Sequence, residues 1–116
     1  MPYNRSVGAQ GEGDASDFLR GLGANILQMN YRCPYGEIDI IAVLDGVLIF
    51  CEVKRRSSKR FGTPAEAVTP AKQRKIIRTA EMWLMHHPME MPMRFDVIEI
   101  TPGYINHIPA AFDASR

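Results

Sequence analysis

The chain of 116 residues carries 14 Lys and Arg against 13 Asp and Glu, a formal net charge of +1, with 46% hydrophobic residues. That length supports one domain, residues 1–116, able to bury about two thirds of its unfolded surface without staples, and no second core is expected. Two cysteines cannot build a disulfide framework, no Cys/His cluster reads as zinc, and no apolar run makes a signal peptide or membrane span, so a reduced cytoplasmic setting is expected.

Residues 1–6 read as a loose tail. A helix is expected over 7–22, with Ala15, Phe18, Leu19 and Leu22 at helical spacing and Gly23 as its stop. Its start is open, because Gly8, Gly11 and Gly13 each cost about 1 kcal/mol relative to alanine inside a helix, so regular structure can begin near Asp14. If the helix reaches back, Glu12 joins the stripe of Ala15 and Leu19. From spacing alone, the simpler reading of Glu12 is a first-turn carboxylate facing the helix dipole. Residues 24–31 then read as a strand and 32–35 as a turn, with Cys33 in a loop.

The next stretch, GEIDIIAVLDGVLIFCEVKRR over residues 36–56, sets the register on which a site depends. Asp45-Gly46 between two apolar runs predicts a two-residue type I′ turn. Leu44 should then pair with Val47, which puts Asp39 across from Glu52 and Glu37 across from Lys54. Directly opposed carboxylates about 5 Å apart repel by on the order of 3 kcal/mol at an effective dielectric of about 20. Positive charge is therefore expected between them. Apolar residues line both faces of the pair, as in central strands covered on each side, with Ile38, Ile40 and Ala42 facing away from Asp39 and Ile41. An acid pair at the end of such a ribbon suits a hard cation such as Mg²⁺, which takes one or two carboxylates and completes its shell with water and phosphate. The plainer alternative is an ordinary antiparallel pair with Glu37 and Lys54 as a cross-strand ion pair.

Residues 57–63 are expected to form a mobile connection beside Glu52 and Lys54. Thr69 reads as an N-cap with Pro70 at the first helical position. The helix from there to about His87 should bury Gln73, Ile76, Ile77, Ala80, Trp83 and Leu84 and expose Lys72, Lys75 and Arg78. Nine of the 14 basic residues lie between Lys54 and Arg78, against the single acid Glu66. That makes the segment either a phosphate-backbone footprint or a solvated helix face. His86 and His87 end the helix without a ligand role, and His107 is a lone histidine. Residues 93–100 alternate as a strand, with Phe95, Val97 and Glu99 on one side. Residues 104–108 make a short last strand, and 109–116 a loosely ordered tail.

Asp39, twelve intervening residues, then Glu52-Val53-Lys54 form the acid, acid-x-lysine pattern of the PD-(D/E)xK nuclease superfamily. The order helix, three-stranded meander, helix, strand resembles the core of restriction-endonuclease-like nucleases. More closely, Gly11-Glu12, Ala15, Leu19, Gly36-Glu37-Ile38-Asp39-Ile40-Ile41, Glu52-Val53-Lys54, Arg56, Lys72 and Arg94-Phe95-Asp96-Val97 resemble the uncharacterised bacterial YraN-type family, related to archaeal Holliday-junction resolvases. The likeness runs from about Asn4 to Ile100. Two departures are Ile38 where the superfamily name has proline and Cys51 in place of a usual aliphatic.

The resemblance implies an α/β fold, a restriction-endonuclease-like three-layer α/β/α sandwich around a mixed central sheet in the order α-β-β-β-α-β-β. It implies Asp39 and Glu52 as ligands of Mg²⁺ or Mn²⁺ with the Val53 carbonyl, Lys54 as the residue that orients or deprotonates water, and Glu12 reaching the same cluster. From the basic segment read above, Arg55, Arg56, Lys59, Arg60, Lys72 and Lys75 are the residues expected to contact DNA. The implied activity is a metal-dependent endonuclease of the Holliday-junction-resolvase type acting on branched DNA, with a homodimer as the form that makes paired cuts. Two alternatives stand beside it: a catalytically silent nucleic-acid-binding or adaptor module of the same fold, and a hydrolase of another phosphate ester.

Overall fold

The computed structural model describes residues 7–55 and 68–114, with side chains from residue 13 onward. Its elements run α1 (Val7–Gly21), β1 (Asn25–Cys33), β2 (Gly36–Leu44), β3 (Val47–Arg55), α2 (Pro70–His86), β4 (Met93–Thr101) and β5 (Tyr104–Phe112). The strands form one sheet in the order β1-β2-β3-β4-β5. Among the described residues, β3 and β4 pair in parallel, as expected for strands joined through a crossover helix, and the other neighbouring strands are antiparallel.

The hairpin forms as its turn chemistry demands. Asp45 and Gly46 take φ of 52° and 77°, the positive values a type I′ turn needs at both central positions. Leu44 pairs with Val47, and the predicted register holds back to Ile40 opposite Cys51. β2, β3 and β4 lie inside the sheet with a helix packed over each face, so both of their faces are buried, which explains their nearly unbroken apolar runs.

The two helices cover opposite faces, giving an α/β/α sandwich. Beneath α1, Ala15 and Leu19 pack on Ile40, Ala42, Ile49, Cys51 and Ile98. Cys51 behaves there as a small hydrophobe, and burial pushes its thiol pKa well up. Beneath α2, Ile76, Ala80 and Trp83 pack on Leu48, Phe50, Phe95 and Val97, with Met89 and Met91 at the margin. Trp83 finds an outlet for its polar atom, since Nε1 donates to Gln28 Oε1 at 2.8 Å.

Several expectations are corrected. β1 extends to Cys33, so that cysteine ends a strand instead of lying in a loop. Ile38 packs in the cluster beneath α2, not with Ile40 and Ala42, because regular β2–β3 pairing stops at Ile40. The last strand continues to Phe112, where the tail was expected to be loose from residue 109. Two contacts hold that extension: the Phe112 ring stacks on Phe95 at 5.0 Å, and the Ala110 N–H donates to Asp96 Oδ1 at 3.0 Å. Asp96 is fully buried and also accepts from Arg94 Nε at 2.9 Å and meets His107 Nε2 at 2.8 Å, so His107 is not alone. The expected tail over 1–6 and connection over 57–63 lie outside the described residues. Among the described residues, no helix is long and apolar enough to cross a membrane.

Candidate functional site

Strand pairing between β2 and β3 gives way one residue before the turn-proximal ladder would reach Asp39 and Glu52. There the Asp39 side chain takes over a backbone role: Oδ2 accepts the Val53 N–H at 2.7 Å. The expected direct opposition of Asp39 and Glu52 is corrected accordingly, since the two strands are joined at this level by a carboxylate and not by a continued ladder. In an extended strand the N–H and C=O of one residue leave on the same side, so the Val53 carbonyl faces the same gap between strands.

The gap opens into a cleft of about 210 Å³ lined by Glu37, Asp39, Glu52, Lys72 and Lys75, beneath the first turns of α2. Three carboxylates from neighbouring strands, Glu37 and Asp39 of β2 and Glu52 of β3, thus share one concavity with the amines of a helix. Glu37 does not pair with Lys54; its carboxylate meets Arg32 Nε at 3.4 Å, across the β1–β2 register pair the two residues form. Lys54 turns instead to its own strand neighbour, with Nζ 3.7 Å from Glu52 Oε2.

Lys72 is the main surprise. Expected on the exposed side of α2, it sends Nζ to 3.1 Å from the same Glu52 oxygen. The helix cap sets this up. Thr69 Oγ1 accepts the Lys72 N–H at 3.2 Å, Pro70 occupies the first turn, and Lys72 falls one turn before Ile76 on the stripe that buries Ile76, Thr79, Ala80 and Trp83. That stripe was the available signal: Lys72, Ile76, Thr79 and Trp83 follow helical spacing, so a lysine there points at the sheet.

The two lysine amines do not behave alike. Burial is the largest influence on Lys54 and lowers its pKa, a hydrogen bond with Lys72 lowers it further, and the charges of Glu52 and Asp39 oppose without reversing the shift. For Lys72 the same hydrogen bond raises the pKa, burial opposes, and Glu52 and Asp39 add to the rise. Lys72 therefore holds its proton more firmly than Lys54 does. A proton-holding cation beside Glu52 and a more readily deprotonated amine next to it are the arrangement's chemical content.

Of the other expected residues, Lys75 is exposed at the cleft and Arg55 is exposed at the end of β3. Arg56, Lys59 and Arg60 lie outside the described residues, as does the Glu12 side chain, although Glu12 lies within α1. Arg78 lies over the Tyr35 ring at 4.6 Å. Sequence reasoning gave no role to Glu99, a buried carboxylate that is the register partner of Lys54 on β4. Parallel partners share a face, so Glu99 adds a further acid on the α2 side.

Among the described residues, no group of three or more His, Cys, Asp or Glu side chains is disposed to hold a metal ion. Asp39 and Glu52 do line one cleft, and an oxygen-only pair fits a hard divalent cation that keeps most of its own water.

A model of the uncharacterised protein family UPF0102 matches residues 11–100. A UPF0102 protein of Symbiobacterium thermophilum is 50% identical over 101 residues, covering 86% of each chain. One of Geotalea daltonii is 47% identical over 116 residues, covering 95% of this chain and 91% of its own. One of Alkaliphilus oremlandii is 46% identical over 116 residues, covering 94% and 99%.

Proposed function

The chain belongs to the uncharacterised protein family UPF0102, and we propose that it is a divalent-metal-dependent endonuclease hydrolysing phosphodiester bonds in branched or otherwise non-standard DNA. The observation that carries this reading is the convergence of Asp39, Glu52 and Lys72 on one cleft, with Lys54 against the same Glu52 oxygen.

Asp39 and Glu52, with the Val53 carbonyl, are the groups that would hold Mg²⁺ or Mn²⁺. Such an ion, when bound, lowers the pKa of its water and offsets charge on the leaving oxygen. Lys54 Nζ, after releasing its own proton to solvent, would orient the attacking water, take a proton from it and pass that proton to the leaving oxygen, a role favoured by the downward direction of its pKa shift. The water oxygen bonds to phosphorus as a bridging P–O bond breaks, leaving one phosphate-monoester end and one hydroxyl end. Lys75, exposed at the cleft, and Arg55, exposed at the end of β3, would contact the flanking phosphates as point charges.

The reading is tested by a cleavage screen over linear, flapped and four-way-branched DNAs with Mg²⁺, Mn²⁺ or chelator. Cutting that needs the metal and prefers a branched substrate supports it. Metal binding with no cutting of any substrate overturns it.

One observation favours a second reading. The Glu52 carboxylate already meets two ammonium groups, as would suit a silent nucleic-acid-binding or adaptor module that keeps the fold without the chemistry. That module would bind DNA in a salt-dependent manner, show no Mn²⁺ affinity, and bind equally well as Asp39→Asn.

A further inference from the structure

We propose that Lys72 is a resident counter-ion of the acid cleft: its ammonium stands at Glu52 where a divalent cation would otherwise place its charge, and the two compete. This rests on the metal-dependent reading above and adds a regulatory feature to the same site.

The geometry carries it. Lys72 Nζ lies closer to Glu52 Oε2, at 3.1 Å, than Lys54 Nζ does at 3.7 Å. Its backbone is pinned by the Thr69 cap, so the amine approaches from the helix side of the cleft while Lys54 approaches along the strand. Glu52 is mostly buried, with 11% of its side chain exposed, and a carboxylate so placed is costly to leave unmatched. Lys72 is the more exposed of the two amines, at 41% against 24%, and its long flexible stem can withdraw to water without disturbing the helix. One cation can therefore leave as another arrives, and the acid pair is never without positive charge.

Competition of this kind has a consequence opposite to that of a ligand or a supporting contact: removing the amine should tighten metal binding. The test is calorimetric titration of the folded protein with Mn²⁺ alone, on wild type, Lys72→Met, Lys72→Gln and the control Arg74→Met, which removes an exposed charge from the same helix. Loss of a half-exposed competing ion pair predicts Mn²⁺ affinity about fivefold higher in both Lys72 variants. Arg74→Met should stay near wild type. Thermal denaturation identifies either Lys72 variant that fails to fold, and the other then carries the comparison. Unchanged or weaker binding in the Lys72 variants overturns the proposal while leaving the metal site standing, as does an equal gain in Arg74→Met. Absence of Mn²⁺ binding in wild type and all variants overturns the metal-dependent reading itself, and this inference with it.

Discussion

Asp39 and Val53 are joined side chain to backbone, the Oδ2 of one accepting the N–H of the other at 2.7 Å. This bond closes the β2–β3 pair where its regular ladder ends, and it ties a candidate ligand to the strand that carries Glu52 and Lys54. Asparagine can still present an oxygen to that N–H, whereas leucine cannot. Asp39→Asn should therefore change stability by no more than about 1 kcal/mol, and Asp39→Leu should lose about 1–3 kcal/mol by leaving a polar backbone group unmatched. Urea denaturation of the two variants checks this. Equal losses would mean that the bond contributes nothing specific.

The Thr69 cap is the device that aims Lys72. Thr69→Ala should cost about 1 kcal/mol, the usual loss for an N-cap hydroxyl. It should also loosen the Lys72–Glu52 pair, read as faster amide exchange over the first turn of α2. A variant with unaltered stability and exchange would show that Pro70 alone sets the helix start.

Asp96 makes stability depend on acid. Burial alone would raise its pKa, but hydrogen bonds from His107, Arg94 and the Ala110 N–H, with the Arg94 charge, overcome this and hold the carboxyl below its ordinary range. A depressed folded pKa contributes stability that is present above the unfolded value of about 3.9 and is lost as pH falls through the lower folded value. Wild type should thus lose stability over that acidic window, and Asp96→Asn should lose much less there. At neutral pH, Asp96→Asn should already be destabilised by roughly 3 kcal/mol, because Arg94 keeps its charge without its partner. Equilibrium unfolding followed from neutral to acidic pH gives both numbers, and parallel curves for the two proteins would refute the assignment.

The sequence was most legible where local chemistry and global pattern agreed. Asp45-Gly46 announced its turn, Thr69-Pro70 its helix start, and the paired apolar runs their central places in the sheet. Register logic brought Asp39 and Glu52 to one cleft, yet it overextended the ladder, because a side chain competing for a backbone N–H leaves no mark in an alternating pattern. Lys72 was only half legible: it is 41% exposed, as a lysine counts by type, yet its spacing from Ile76 and Trp83 also aims its amine at the sheet. The Asp96, Arg94 and His107 cluster was invisible, since His107 reaches Asp96 only through the register of β4 with β5. The same pairing kept Phe112 in the sheet where a loosely ordered tail was expected.

The most direct test of the central claim is the rate at which purified protein cuts a four-way DNA junction in Mn²⁺ or Mg²⁺, measured beside Asp39→Asn of matched stability. The account predicts product from wild type, none with chelator, and a rate at least about a hundredfold lower in the variant, equivalent to roughly 2.7 kcal/mol of lost transition-state stabilisation. Equal cutting by both proteins, or cutting that persists without a divalent ion, would contradict it.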